Sequence, residues 1–216
     1  QRGEAQYERN ERRGVESVVT EGGLNFLVNL SDYLDVGLFL DHRPARGWVR
    51  EMAEGARLLN LFAYTGSFSV YAASVGAHTT TVDLSNTYLD WAKQNMALNG
   101  IDDNEHSFVH TDARRFLERA KSRDPYDIIV LDPPTFSTSS GMTGTFDVQR
   151  DHVQLIDAAR ACLVRGGLLY FSTNLRTFKL AEQAGEGFRV EDRSDASIPI
   201  DFRNRRIHKL WRMEKL

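Results

Sequence analysis

The sequence predicts a doubly wound α/β domain on a mostly parallel, seven-stranded sheet, preceded by a β-hairpin. Three features point there. From Arg57 onward, short apolar runs alternate with amphipathic stretches, the mark of strands joined by crossover helices. Acidic residues stand at successive strand ends: Asp83, Asp112 and Asp132. The most apolar run, Tyr126–Leu131, stops on Asp132-Pro133-Pro134, where consecutive prolines forbid the strand to continue.

The elements follow in order. Val15–Glu21 and Leu24–Leu30 flank Gly22-Gly23 and read as a hairpin, with Leu24, Phe26, Val28 and Leu30 alternating toward one face. A helix then opens near Pro44 and ends before Gly55. The sheet strands are Leu58–Phe62, Thr79–Asp83, Ser107–His110, Asp127–Leu131 and Leu168–Ser172. Between them lie helices at about Phe68–Val75, Asn86–Asn99, Ala113–Ser122 and Val148–Leu163. Ser85 suits the N-cap of the second, and Gly100 stops it. Leu89, Ala92, Lys93 and Met96 share one face of that helix. Arg189–Ser194 and Ile207–Glu214 read as two further strands with no full helix between them, an antiparallel edge to the sheet. Residues 1–43 are expected to form an N-terminal extension and residues 44–216 the main domain.

Composition narrows the chemistry. No run of 18 apolar residues exists and the first residues are polar, so neither a membrane span nor a signal peptide is expected. One cysteine, Cys162, excludes an internal disulfide and a thiolate metal cage and suits a reducing cytoplasm. No metal is expected. A net charge of −3 is unlike a free-standing nucleic-acid binder. A chain opening on Gln1 is expected to be part of something longer.

In doubly wound sheets, ligands bind off the carboxyl ends of the strands. After the first strand comes Ala63-Tyr64-Thr65-Gly66-Ser67, a turn whose glycine permits close approach before a helix start. Asp83 lies about twenty residues further on, where a carboxylate can accept both hydroxyls of a ribose. Asp112 and its neighbours face the position of an adenine edge. A lone acidic residue at a strand end is commonly a turn or cap residue, but three in succession behind a glycine turn suit an adenosine-containing cofactor. Asn60–Ser69 contains Gly66 as its single glycine, not the G-x-G-x-x-G of a dinucleotide site. S-adenosylmethionine, which has no phosphate, fits better.

Several stretches carry a resemblance: Asn60–Phe68, Val82-Asp83-Leu84-Ser85, Tyr88–Ala92, Asn95 with Leu98-Asn99-Gly100, and Asp132-Pro133-Pro134-Thr135-Phe136. Together they resemble the class I, Rossmann-like methyltransferases of large-subunit ribosomal RNA. Tyr7–Ser17 and Phe146–His152 are most similar to the C-terminal, guanine-N7 half of the bifunctional 23S rRNA methyltransferases. The resemblance implies methylation of guanine N7 in the peptidyl-transferase region of 23S rRNA, or of an assembly precursor. It also implies a linked N-terminal guanine-N2 methyltransferase half with an RNA-binding module. Cofactor contacts would come from Asn60, Phe62, Tyr64, Thr65, Gly66, Ser67, Phe68, Asp83, Leu84, Ser85, Asp112, Ala113 and Asp132. Phe39 and Arg43 would close over the cofactor, with Arg43 pairing with its carboxylate.

Residue chemistry excludes one relative. Cytosine-C5 enzymes need a thiolate at the site rim, and Phe171-Ser172-Thr173-Asn174-Leu175 offers none. Cys162 falls inside the predicted preceding helix as a small core residue. Guanine N7 needs no covalent help, since its lone pair is in the ring plane and carries no proton. Asp132 and the Pro133 carbonyl are expected to accept from the guanine N1–H and amino group while Phe136 stacks on the flipped base. An exocyclic amine, guanine N2 or adenine N6, suits the same residues, and a non-catalytic cofactor- and RNA-binding module is the remaining alternative. Ser137–Thr145 reads as a lid. Arg203, Arg205, Arg206, His208 and Lys209, then Arg9, Arg12 and Arg13, are the expected phosphate contacts.

Overall fold

The computed structural model describes residues 14–33, 35–120, 125–138 and 144–216. At its centre is a seven-stranded sheet: β3 (Arg57–Leu61), β4 (His78–Asp83), β5 (Ser107–His110), β6 (Tyr126–Leu131), β9 (Leu163–Thr173), β10 (Phe188–Asp192) and β11 (Lys209–Lys215). Their spatial order is β10-β11-β9-β6-β3-β4-β5. β3, β4, β5, β6 and β9 run parallel, while β11 is antiparallel to both β9 and β10. The order reverses at β3, which pairs with β4 on one side and β6 on the other, so a crevice opens at the carboxyl ends of β3 and β6.

Each central strand buries both faces, as crossover helices require. Leu58, Ile128, Val130, Leu168 and Tyr170 pack with α1 (Arg43–Met52) and α2 (Ser67–Ala73). The alternate positions Leu59, Leu61, Ile129, Leu131, Leu169 and Phe171 pack with α4 (Ala113–Ala120) and α5 (Val148–Ala161). A short helix, α6 (Ser194–Ser197), lies between β10 and β11. β7 (Phe136–Ser137) and β8 (Phe146–Asp147) form a small antiparallel ribbon beside the crevice. Residues 139–143 of the expected lid lie outside the described residues, as do residues 121–124. Among the described residues no helix is long and apolar enough to cross a membrane.

The hairpin pairs β1 (Glu16–Glu21) with β2 (Leu24–Asn29). Leu24, Phe26 and Val28 are buried against α2 and against α3 (Asn86–Leu98). Leu30, expected on the same face, is 60% exposed, because the strand ends at Asn29, whose side chain binds Asp32 in the following turn. Side chains of α3 complete the ladder that β2 leaves open. Asn95 accepts from Leu27 N–H at 2.9 Å, Trp91 Nε1–H donates to Leu27 O at 3.0 Å, and Asn99 bonds both the N–H and O of Asn25 at 2.8 Å. A strand edge is thereby satisfied by a helix face at i, i+4, i+8 spacing.

Among the boundaries that differ from expectation, three have a local cause. β3 stops before Phe62, whose φ is +57°, so that residue turns off the strand into the loop. α5 ends at Ala161 with Cys162 as its C-cap, so Cys162 stands one position past the helix rather than inside it as expected. Cys162 is buried there, with Sγ 3.9 Å from Leu117 O. β9 begins at Leu163 rather than Leu168 because a register shift against β6 absorbs the Gly166-Gly167 segment.

The hairpin and α1 meet at a buried ion pair. Glu21 Oε1 accepts from Arg46 Nε at 2.8 Å and lies 2.7 Å from Arg46 Nη2, and Tyr71 O–H donates to the same oxygen at 3.0 Å. The guanidinium lies over the rings of Phe68 and Tyr71. Removing one partner strands a buried charge, so Glu21→Ala is expected to lower unfolding free energy by about 3–5 kcal/mol, read from urea denaturation. A loss under about 1 kcal/mol would show that water replaces the carboxylate freely.

Candidate active site

A cavity of about 600 Å³ occupies the crevice, a size suited to a cofactor or nucleoside. Its floor comes from strand ends and the loops after them: Asn60, Phe62, Ala63 and Tyr64 after β3, Val82, Asp83 and Leu84 after β4, Thr111 and Ala113 after β5, and Asp132 to Ser137 after β6. The start of α2 adds Ser67 and Phe68. The opposite wall is the segment before the sheet, with Asp35, Phe39, Asp41, His42 and Arg46. Asn174 and Ile207 complete the lining.

The loop after β3 carries strain at the cavity. Phe62 and Tyr64 adopt φ of +57° and +51°, which costs of order 1–3 kcal/mol each and marks a functional constraint. Tyr64 is held there by its O–H to Asp35 O at 2.9 Å and by its ring against Phe39 at 5.0 Å. Its N–H donates to Asp83 Oδ2 at 2.9 Å, and Ser85 N–H donates to Oδ1 at 2.9 Å. Burial pushes the Asp83 carboxyl up to about 6, against these backbone hydrogen bonds, which pull it down. Asn60 is oriented by Ser69, which in turn bonds Thr81.

Asp132 is held by one neighbour and flanked by another. Ser172 Oγ, on the neighbouring strand β9, donates to Oδ1, and His42 Nε2 lies 3.4 Å from Oδ2. Pro133 is buried beside it, while Phe136 at the rim is 50% exposed. His42 stacks on His208, with centroids 4.3 Å apart and 3° between the planes. His208 Nδ1 lies 2.7 Å from Asp41 Oδ2, and Nε2 lies 2.7 Å from Ser197 Oγ. Asp41, His208 and Ser197 thus have the bonding order of a hydrolase triad, but Ser197 is fully buried and no acyl group can reach it. Asp41, His42 and His208 also bring three side chains of metal-ligating type together. Parallel imidazole planes keep their in-plane lone pairs from converging on one ion. Burial holds the His42 imidazole below its ordinary range, with His208 adding to the effect and Asp132 opposing it.

The cavity gathers twelve of the residues expected at the site: Phe39, Asn60, Phe62, Tyr64, Ser67, Phe68, Asp83, Leu84, Ala113, Asp132, Pro133 and Phe136. Five others support it without lining it. Thr65 donates to Gly37 O at 2.6 Å. Gly66, at φ +72°, leaves no room for a Cβ, which would meet the Ala92 Cβ at 2.7 Å. Ser85 caps α3 by accepting from Tyr88 N–H. Asp112 turns back to the start of α4, accepting from Arg114 N–H at 2.7 Å and pairing with the Arg114 guanidinium at 3.1 Å. Arg43 faces away, with Nε 3.4 Å from Glu21 Oε2 and Nη atoms 3.3–3.4 Å from the Asp201 carboxylate.

The buried cation on the cavity wall is therefore Arg46, one helical turn on, which sequence reasoning missed along with Asp41, His42 and Asn174. His208, expected among the phosphate contacts, is buried against His42 instead. Spacing could have flagged Arg46, because Arg43 and Arg46 stand three apart and share a helix face. The basic cluster is divided. Arg203 and Arg206 are exposed. Arg205 clamps Asp195 O and Pro199 O at 2.7 and 3.2 Å, and Lys209 Nζ donates to Phe178 O at 2.6 Å, so both hold structure. Arg9, Arg12 and Arg13 lie outside the described residues. His152 is structural as well: it accepts from Ala181 N–H at 3.1 Å and is buried under Phe178.

The sheet order and the cavity at its switch point match a known group of proteins. A model of the S-adenosylmethionine-dependent methyltransferase family matches residues 8–201. The chain belongs to this family. It is 53% identical over 213 residues to the ribosomal RNA large subunit methyltransferase K of Neisseria meningitidis serogroup B, covering 98% of this chain and 60% of that protein. It is 52% identical over 215 residues to the ribosomal RNA large subunit methyltransferase K/L of Pseudomonas fluorescens, covering 99% of this chain and 28% of that protein. The chain thus spans less than two thirds of either relative. Among solved structures, the putative methyltransferase SMU.776 complexed with SAH superimposes with a TM-score of 0.79 at 28% identity, covering 92% of this chain and 56% of that one. A methyltransferase from Agrobacterium tumefaciens shares the fold, with a TM-score of 0.76 at 23% identity over 94% of this chain and 70% of that one.

The family's cofactor is S-adenosylmethionine, and a cavity floored by a backbone-clamped carboxylate and walled by Phe39, Phe62 and Tyr64 suits its adenosine half. Above its raised pKa, Asp83 is ionised and can accept from both ribose hydroxyls. Below it, one oxygen carries a proton and repels a donor. Calorimetric affinity for S-adenosylmethionine should therefore fall as pH drops through about 6, at most about tenfold per pH unit, and Asp83→Asn should flatten the profile. A flat wild-type profile between pH 7.5 and 5 would remove Asp83 from the ribose site.

Proposed function

We propose that the chain transfers a methyl group from S-adenosylmethionine to N7 of a guanine in 23S ribosomal RNA, by in-line displacement without a covalent enzyme–RNA intermediate. The observation that carries this reading is Asp132, a pinned carboxylate at the switch point with its free lone pairs turned to the cavity and an exposed aromatic, Phe136, beside it. The names of the relatives support ribosomal RNA as the substrate. Their extra length supports a linked second methyltransferase half as partner.

Bound S-adenosylmethionine supplies an electrophilic methyl, which a bare in-plane nitrogen can take directly. The chain's task is alignment. Asn60, Phe62, Tyr64, Asp83 and Ala113 would seat the adenosine, and Arg46 is the cation placed to meet the carboxylate of the methionine part. Asp132 and the Pro133 carbonyl would accept from guanine N1–H and the amino group, and Phe136 would stack on the flipped base. The Asp132 charge also offsets the positive charge that develops on the ring. Asn174, held by Thr135, stands where cytosine-C5 enzymes need a thiolate, and Cys162 is buried elsewhere in the core, which supports a non-covalent route.

Asp132→Asn is expected to lower kcat by about 10²-fold or more while cofactor affinity changes little. Equal loss of both would assign Asp132 to the cofactor alone. Borohydride–aniline treatment of methylated 23S rRNA should cut the strand at the modified nucleotide. Methyl incorporation without cleavage would favour an exocyclic amine, and no incorporation would favour a binding module. Arg203→Ala with Arg206→Ala should reduce the slope of log K against log salt for RNA by about 1.4–1.8. An unchanged slope would place the RNA elsewhere.

A further inference from the structure

We propose that His42 reads the target base, donating Nε2–H to guanine O6 while Asp132 accepts from guanine N1–H, and that the buried relay His208–Asp41–Ser197 keeps it in the donating state. This rests on the guanine-N7 reading above. His42 lines the cavity, and its Nε2 stands 3.4 Å from Asp132 Oδ2. That separation is longer than a committed N–H···O bond, so both groups keep capacity for a ligand. A donor and an acceptor side by side match the adjacent O6 and N1–H of guanine. Adenine presents an amino group and a bare nitrogen at the same two places. With N7 turned to the methyl donor the base cannot swap them, so adenine sets donor against donor and lone pair against carboxylate.

Hydrogen-bond geometry fixes the ring beside it. Asp41 Oδ2, at 2.7 Å, accepts from His208 Nδ1, and Ser197 Oγ stands 2.7 Å from Nε2. His208, held between them, lies flat against His42. Burial favours neutral His42, with His208 and Arg46 adding to it, while Asp132 and Asp41 pull the other way. Phe68 of α2 meets the ring edge-on and contributes no charge. A neutral imidazole facing a carboxylate at Nε2 places its one proton there, which agrees with Nδ1 being buried without a partner. A doubly protonated His42 would close onto Asp132 as an ion pair and remove the acceptor that the base needs. His42 touches the substrate in this arrangement; His208 is a positioning residue.

The test compares N7 methylation of an RNA fragment carrying guanine, or 2-aminopurine, at the target position. 2-Aminopurine keeps N7 and lacks both O6 and N1–H. Wild-type enzyme is expected to prefer guanine strongly, and His42→Ala to narrow that kcat/KM preference by about tenfold or more with cofactor affinity within about twofold. His42→Gln, which restores an N–H donor, should recover part of the preference. Equal losses on both fragments, with no recovery by glutamine, would overturn the assignment. Nitrogen-15 NMR of the unliganded protein supplies an arm that needs no RNA: at pH 7.5 His42 should carry its proton at Nε2 alone. His42 protonated at Nδ1 would also overturn it. Wild-type enzyme that leaves no N7 mark removes the reading beneath the proposal, whereas wild-type marking with unaltered selectivity in the variant removes the His42 assignment alone.

Discussion

The buried pair Glu21–Arg46 is the constraint on which the site depends. A parallel sheet makes a crevice at its switch point but not a cavity, because the helices diverge there and one side stays open. The missing wall is the segment carrying Phe39, Asp41, His42 and Arg46. It reaches the crevice because a carboxylate at the end of β1 neutralises a guanidinium that would otherwise be stranded in the core. Arg43 and Tyr71 converge on the same glutamate, so the hairpin, α1 and α2 are joined at one point. The asparagine ladder from α3 holds the other side of the hairpin.

From that junction the electrostatics of the cavity follow. Carboxylates enter from strand ends at Asp83 and Asp132, and each is held by neighbours that leave its remaining lone pairs facing inward. Asp83 is held by backbone N–H groups of Tyr64 and Ser85, and Asp132 by a serine on the adjacent strand. The opposite wall brings the guanidinium of Arg46 and the His42 imidazole beside Asp35 and Asp41. Cation, hydrogen-bond donor and carboxylates thus face one cavity from different elements, which suits a ligand that is zwitterionic at one end and a hydrogen-bonding heterocycle at the other.

Much of the fold was legible because its signals are local. Strand positions, the Ser85 cap, the Gly66 turn and the Asp-Pro-Pro stop each depend on a few neighbouring residues, and the structure places them within a residue or two. The misreadings have a common form. Leu30 continued an alternation that the Asn29–Asp32 turn had already ended. The strand expected to start at Leu168 starts at Leu163, because a register shift against β6 absorbs Gly166-Gly167. Asp112 had the spacing of a ligand contact, yet Arg114 and the free N–H groups of α4 claim its carboxylate. Arg205 and Lys209 counted as surface charge, although carbonyls of neighbouring segments capture both.

What the sequence determined by itself is the layered α/β plan and the row of acidic strand ends, because hydrophobic period and turn chemistry are written within short windows. Tertiary structure decided which charges reach the cavity. Asp41 and His208 are 167 residues apart, and no periodicity links them. Arg46 rather than Arg43 lines the wall because Glu21 and the rings of Phe68 and Tyr71 hold Arg46 inward, while Arg43 is drawn out to the exposed Asp201. Burial and pairing set the protonation and direction of such groups, and both come from neighbours that are distant along the chain.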